Sequence, residues 1–206
     1  MANIQHKDIP DAQRHEPKGI STASANTVYM SNGSATGSWT LVNRLPGTGW
    51  GKYTNTTYVD TTVLPISTTE VLLPFTTADN ESQLPISLSG TTYSLMDTAN
   101  DKALFISAGD LHNITLTLKI YSTSGSPVTM DLKIYGSSDG VTYASMIGET
   151  TVNIVKGADQ VITQSAMFSV TSDMVTHGAK IYLVTNTGTA NIINIGLISS
   201  RIHKAR

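Results

Sequence analysis

Two stretches of strict two-residue alternation constrain this chain more than any other feature. Ile114, Leu116, Leu118 and Ile120 are separated by Thr115, Thr117, Lys119 and Tyr121, and a few residues later Val128, Met130, Leu132 and Ile134 alternate with Thr129, Asp131, Lys133 and Tyr135. A period of two puts one set on each side of a strand, so both runs read as half-buried strands with an apolar inner face. A helix would scatter the same residues around its axis. Ser124-Gly125-Ser126-Pro127 lies between the runs, and the spacing reads as a hairpin with two matched faces. Leu116, Leu118, Leu132 and Ile134 are expected in the interior, because a slip of one residue would expose the whole set at once.

Similar short apolar runs surround this pair. Asp139-Gly140 reads as a turn into Val141-Thr142-Tyr143, and further strands are expected over 150–155, 161–170, 180–185 and 191–198, with weaker candidates over 69–75, 91–95 and 103–106. Met174 to Gly178 offers at most one helical turn, and no segment carries a 3.6-residue stripe long enough for a major helix. About a quarter of the chain is Ser or Thr, and only 14% is charged, which favours strands and turns over helices. The fold class is all-β: an extended N-terminal arm followed by a jelly-roll-like antiparallel β-sandwich.

Charge placement divides the chain. Residues 1–18 hold Lys7, Asp8, Asp11, Arg14, Glu16 and Lys18 among two prolines and few apolar groups, too little to form a core. Residues 1–26 therefore read as an extended arm that gains order only by lying on something else, and its first 18 residues could reach roughly 60 Å. Residues 27–65 read as a small hairpin and linker: 27–30 and 39–42 flank the turn Asn32-Gly33, while 46–51 and the Thr/Asn-rich stretch 54–62 look like loop. Residues 66–206 form the sandwich, ending in a small basic tail from Arg201 to Arg206.

Chemistry is sparse. Cysteine is absent, which excludes disulfides, thiol catalysis and cysteine-bound zinc. A net charge of −2 gives no bulk affinity for nucleic acid or an anionic membrane, no apolar run approaches the roughly 20 residues of a membrane helix, and the polar start is no signal peptide. Gly136-Ser137-Ser138-Asp139-Gly140 matches G-x-S-x-G, but a nucleophile elbow needs a helix after it and a strand is expected there. Gly47 to Lys52 resembles a phosphate loop only loosely, since Pro46 and Tyr53 occupy positions that the loop needs for Gly and Ser or Thr. His6, His15, His112, His177 and His203 show no metal-ligand spacing and read as surface or interface residues; Asp97, Asn100 and Asp101 lack the closing Glu of a calcium loop. No catalytic residue, metal or cofactor is expected. Trp39, Trp50, Tyr53 and Tyr58 read as exposed aromatics suited to a subunit contact, or to stacking on sugars.

The run from Ile9 to Ala23, which includes Ile9, Pro10, Asp11, Arg14, His15, Glu16, Pro17 and Lys18, continues through Val28-Tyr29 to Gly33, Gly37 and Trp39. It resembles the opening segment of tailed-bacteriophage virion proteins of the head-fibre, capsid-decoration and minor structural type. The resemblance covers about the first 40 residues. It implies a capsid anchor in that stretch, the major capsid protein as partner, a homotrimer as assembly, and a place on the outer capsid surface after synthesis in the host cytoplasm. The alternative is a tail fibre or receptor-binding adhesin whose sandwich binds glycan.

Overall fold

The computed structural model describes residues 27–31, 37–41, 47–58, 61–86 and 91–203. The anchor stretch from Ile9 to Lys18 and the turn Asn32-Gly33 lie outside them. β1 (Thr27–Ser31) and β2 (Gly37–Leu41) form an antiparallel hairpin with Tyr29 opposite Trp39. Those two rings meet edge to face, 5.5 Å between centroids.

The rest is a sandwich of two antiparallel sheets. The first runs β12 (Gln160–Ser169), β9 (Leu111–Ser122), β14 (Ala190–His203), β3 (Gly49–Asn55), β6 (Thr77–Asn80), with β4 (Leu64–Ile66) also on β14. The second runs β11 (Ser145–Ile154), β10 (Val128–Gly136), β13 (Ala179–Thr185), β8 (Lys102–Ala103), β7 (Met96–Asp97), with β5 (Val71–Leu72) also on β13. The first long strand, β3, lies beside the last, β14, with β9 on its other side and β12 beyond β9, while β10 and β11 pair in the other sheet. That arrangement is a jelly roll. α1 (Ser172–His177) is the one-turn helix expected near Met174, capped by the Thr171 hydroxyl, which accepts from the Met174 amide at 3.3 Å.

The alternation places the expected interior set correctly: Leu116, Leu118, Leu132 and Ile134 are all buried, in one core shared by both sheets. Its partner assignment is corrected. β9 and β10 do not pair; β9 bonds to β12 and β14, and β10 to β11 and β13. Thr123 to Pro127 carry the chain from one sheet to the other, so the two apolar faces meet across the core. The crossing is fastened to the loop before β14, where the Thr123 amide donates to the Thr189 carbonyl at 3.1 Å.

Three further readings are corrected. The supposed linker contains β3, whose pairing with β14 makes Gly49–Asn55 part of the sandwich, ahead of the expected start at 66. Its burial alternates, with Gly51, Tyr53 and Asn55 inward, a period that glycines and threonines concealed. Asp139-Gly140 leads into a bend, and β11 starts only at Ser145. The Asp139 carboxylate accepts from the amides of Val141 (2.8 Å) and Thr142 (2.7 Å), and these bonds hold it well below the usual carboxylate range. The weak candidate at 91–95 contributes only an isolated bridge between Ile86 and Thr92.

Candidate functional site

Three places concentrate polar chemistry. The first is inside. Inward alternation along β14 runs Ile195, Leu197, Ser199, Arg201, and along β9 backwards from Ile114 to His112, with Asp110 just before the strand. Arg201 and Asp110 form a buried two-point pair: Nη2 donates to Oδ1 at 2.8 Å and Nε lies 2.7 Å from Oδ2. Asp110 also accepts from the Ser107 amide at 3.0 Å. The Ser199 hydroxyl bridges His112 Nε2, 2.8 Å away, and the Leu95 carbonyl at 3.5 Å. Phe105 and Phe168 close over the imidazole, with centroids 4.8 and 5.9 Å from it. Burial pushes the His112 pKa down to about 4; the Asp110 charge opposes this and the Arg201 charge adds to it.

Serine, histidine and aspartate thus lie close together, but not as a nucleophilic triad. Ser199, His112 and Asp110 are at most 1% exposed, and Arg201 holds the acid that would have to orient the imidazole. No substrate reaches them. His112 is a core residue, which corrects its reading as a surface histidine, and Arg201 is a buried partner, which removes it from the expected basic tail. The sequence signal was available: extending the alternation back from Ile114 by two residues and on from Leu197 by four points both side chains inward. His177 is half-buried beside Gly140, and its carbonyl accepts from the Tyr143 hydroxyl at 2.8 Å.

The second place is the outer face of the first sheet. Strand register builds rows across it: Thr163, Thr117, Gly196, Thr54; then Ser165, Thr115, Ile198, Lys52; then Met167, Asn113, Ser200, Trp50. Hydroxyls pair along the rows, Thr115 with Ser165 at 2.9 Å and Thr117 with Thr163 at 3.3 Å. Lys52 is the one charge in these three rows, and Asp79 pairs it. Met167 is 61% exposed, Ile198 39% and Trp50 36%.

The third is the outer face of the second sheet. Lys133 on β10 lies opposite Tyr182 on β13 and Glu149 on β11, and Tyr135 lies opposite Lys180. The half-buried rings of Tyr135 and Tyr182 meet at 65° with centroids 5.5 Å apart. Glu70 reaches over from the segment before β5, and its Oε1 accepts from Tyr135 Oη at 2.8 Å and Lys133 Nζ at 3.0 Å. Those bonds hold the Glu70 carboxyl below its ordinary range. Lys180 Nζ sits 4.9 Å from the centre of the Tyr143 ring.

The four aromatic residues expected at a subunit contact do not form one cluster. Trp50 is on the outer face, and Trp39 belongs to the β1–β2 hairpin. Tyr58 is half-buried and packs against the core. Tyr53 is fully buried, its hydroxyl donating to Glu81 Oε1 at 3.0 Å, so it cannot line a seam. Asp97 caps a turn, taking the Ala99 and Asn100 amides at 3.2 Å, while Asp101 ties to another segment by accepting from the Phe75 amide at 2.7 Å. Among the described residues no three histidine or acidic side chains converge as a metal site, and no helix is long and apolar enough to cross a membrane. A notch of about 240 Å³ beside α1 offers one carboxylate, Asp173, without the second acid that glycoside hydrolysis needs.

The class that the fold defines is a jelly-roll β-sandwich with Ser199, His112, Asp110 and Arg201 buried in its core. No family model matches the chain, and no curated protein matches it. Among solved structures it is similar to the PRD1 vertex protein P5, at 12% identity and a TM-score of 0.46 over 88% of this chain and 84% of that one. It is also similar to the Eiger TNF of S. frugiperda, at 10% and 0.43 over 77% and 95%. A carbohydrate-binding module of the Cellvibrio mixtus lichenase 5A, in complex with cellotriose, matches at 12% and 0.26 over 88% and 89%.

Proposed function

We propose that the chain is a structural protein of a tailed-bacteriophage virion: residues 1–26 grip the major capsid protein, and the sandwich stands outward as a decoration protein or head fibre. The protein performs no chemistry; it stabilises the head by covering seams between capsomers. The observation that carries this reading is the outer face of β12, β9, β14 and β3, a broad array of neutral hydroxyls and amides with Met167, Ile198 and Trp50 exposed among them. Such a face suits contact with further copies, because few charges must be stripped of water when it closes. The resemblance of the opening 40 residues supports the anchor, and a core-poor arm gains its order by lying on a partner. A homotrimer gives three arms on one particle, so weak individual grips add up.

The test is occupancy on capsids stripped of this protein. The full chain should restore full occupancy, and a chain beginning at residue 27 should remain folded but fail to bind. Normal occupancy by the shortened chain would overturn the anchor. A tail fibre or adhesin, the alternative, is separated by copy number, which is high for decoration and low for a fibre.

A further inference from the structure

We propose that the outer face of β10 and β13 is a binding site for a neutral saccharide, with Tyr135 and Tyr182 as the stacking residues and Glu70 as the acceptor of sugar hydroxyls. A pyranose presents two chemistries at once: a face of C–H groups that packs on an aromatic ring, and a rim of hydroxyls that needs strong acceptors and donors. This face supplies both within one sheet register. The two tyrosine rings form an angled corner 5.5 Å across, on neighbouring strands. Glu70 closes the corner from outside the sheet. Both of these bonds fall on Oε1, and a carboxylate carries lone pairs beyond those two for a sugar hydroxyl.

The surrounding charges choose the class of ligand. Glu70 and Glu149 balance Lys133 and Lys180 on this face, Lys133 is already engaged by both acids, and Asp131 is buried with the Thr151 hydroxyl on its carboxylate. Glu70 stays ionised through the neutral range, as its lowered pKa requires. With acids and lysines paired off, the face offers no surplus cation to an acidic sugar, a phosphate or a sulfated chain, whereas a neutral sugar can use its acceptors, donors and rings. A second copy of this chain is the poorer occupant, because closing the face would strip water from the carboxylates of Glu70 and Glu149 and from two lysines, and the neutral sheet on the other side of the sandwich carries less of that cost. The corner is also set in advance: Tyr135 is tied to Glu70, and Glu70 to Lys133, so little side-chain freedom is left to lose on binding. The two outer faces point away from each other, so saccharide binding does not compete with subunit contact.

The experiment is a nuclear magnetic resonance titration of the full chain with four soluble probes, maltohexaose, cellohexaose, chitohexaose and lactose, each to about 10 mM. At least one should give saturable shifts centred on Tyr135, Tyr182 and Glu70, and Tyr182→Ala should weaken that binding by about tenfold or more at an unchanged fold. Glu70→Ala, on the exposed segment before β5, serves as the second variant should Tyr182→Ala fail to fold, and the same loss is expected from it. Absence of shifts with all four probes, shifts confined to another surface, or wild-type affinity in the folded variant would overturn the proposal. Because the isolated chain is titrated, failure here leaves capsid attachment standing, and failure of capsid attachment leaves this result standing.

Discussion

His112 is neutral in the fold and protonates readily once the chain unfolds. Its pKa lies at about 4 in the native state against 6.5 in an exposed chain. The unfolded chain therefore binds more protons between those values, and native stability falls as pH drops from about 6.5 to about 4. The full effect of such a shift is about 3 kcal/mol. Chemical denaturation at pH 7 and pH 4.5 should show the loss, and His112→Gln should flatten that part of the profile; an unchanged slope in the variant would place the titration elsewhere. Neighbouring positions on β9 give a sharper contrast. Leu118 is buried in the shared core, so Leu118→Asp buries an unpaired charge and should cost more than about 4 kcal/mol, enough to unfold a marginal domain. Lys119 points outward to Asp159 at 3.2 Å, and Lys119→Asp should cost less than about 1 kcal/mol. Equal melting temperatures for the two variants would sink the register.

Elements were legible where the side chains differ strongly between faces. Along β9 and β10 the alternation of large aliphatic residues with Thr, Lys, Asp or Tyr identified what is buried. It could not say which strand bonds to which, because a hairpin and a cross-core pair bury the same residues. That is why β9 and β10 read as a hairpin and proved to face each other. β3 escaped notice because its inward set includes Gly51 and Asn55, which carry no apolar signal. β14 hid a bulge: Ile192 and Ile193 are both buried, since two residues there oppose one on β9. The tyrosine corner was illegible for a different reason, as Glu70 and Tyr135 are 65 residues apart and only the sheet brings them together. At the end of α1, Gly178 takes φ +77°, and a Cβ there would lie 2.5 Å from the Ala103 carbonyl oxygen. Gly178→Ala should therefore cost about 2 kcal/mol or more, read as a lower melting temperature, and wild-type melting would contradict the tight junction of α1 with β8 and β13.

At the scale of the whole molecule, the proposed roles fall on three parts: an arm for the capsid, the neutral face of the first sheet for further copies, and the tyrosine face of the second sheet for saccharide. Contact through the neutral face predicts an oligomer whose mass is the same in low salt and in 1 M NaCl, because screening acts on exposed charges and this face has few. Met167→Lys, placed on that face, should reduce the mass measured by light scattering to that of a monomer while the melt stays cooperative. A wild-type monomer at micromolar concentration would remove the subunit contact from the account. The central claim, that the sandwich is displayed on the head by its N-terminal arm, is tested most directly by electron cryomicroscopy of the parent particle. The account predicts jelly-roll density in many copies on the outer capsid surface, joined to the shell by a thread that fits residues 1–26. Density confined to the tail, or a sandwich that touches the shell while its arm points away, would contradict it.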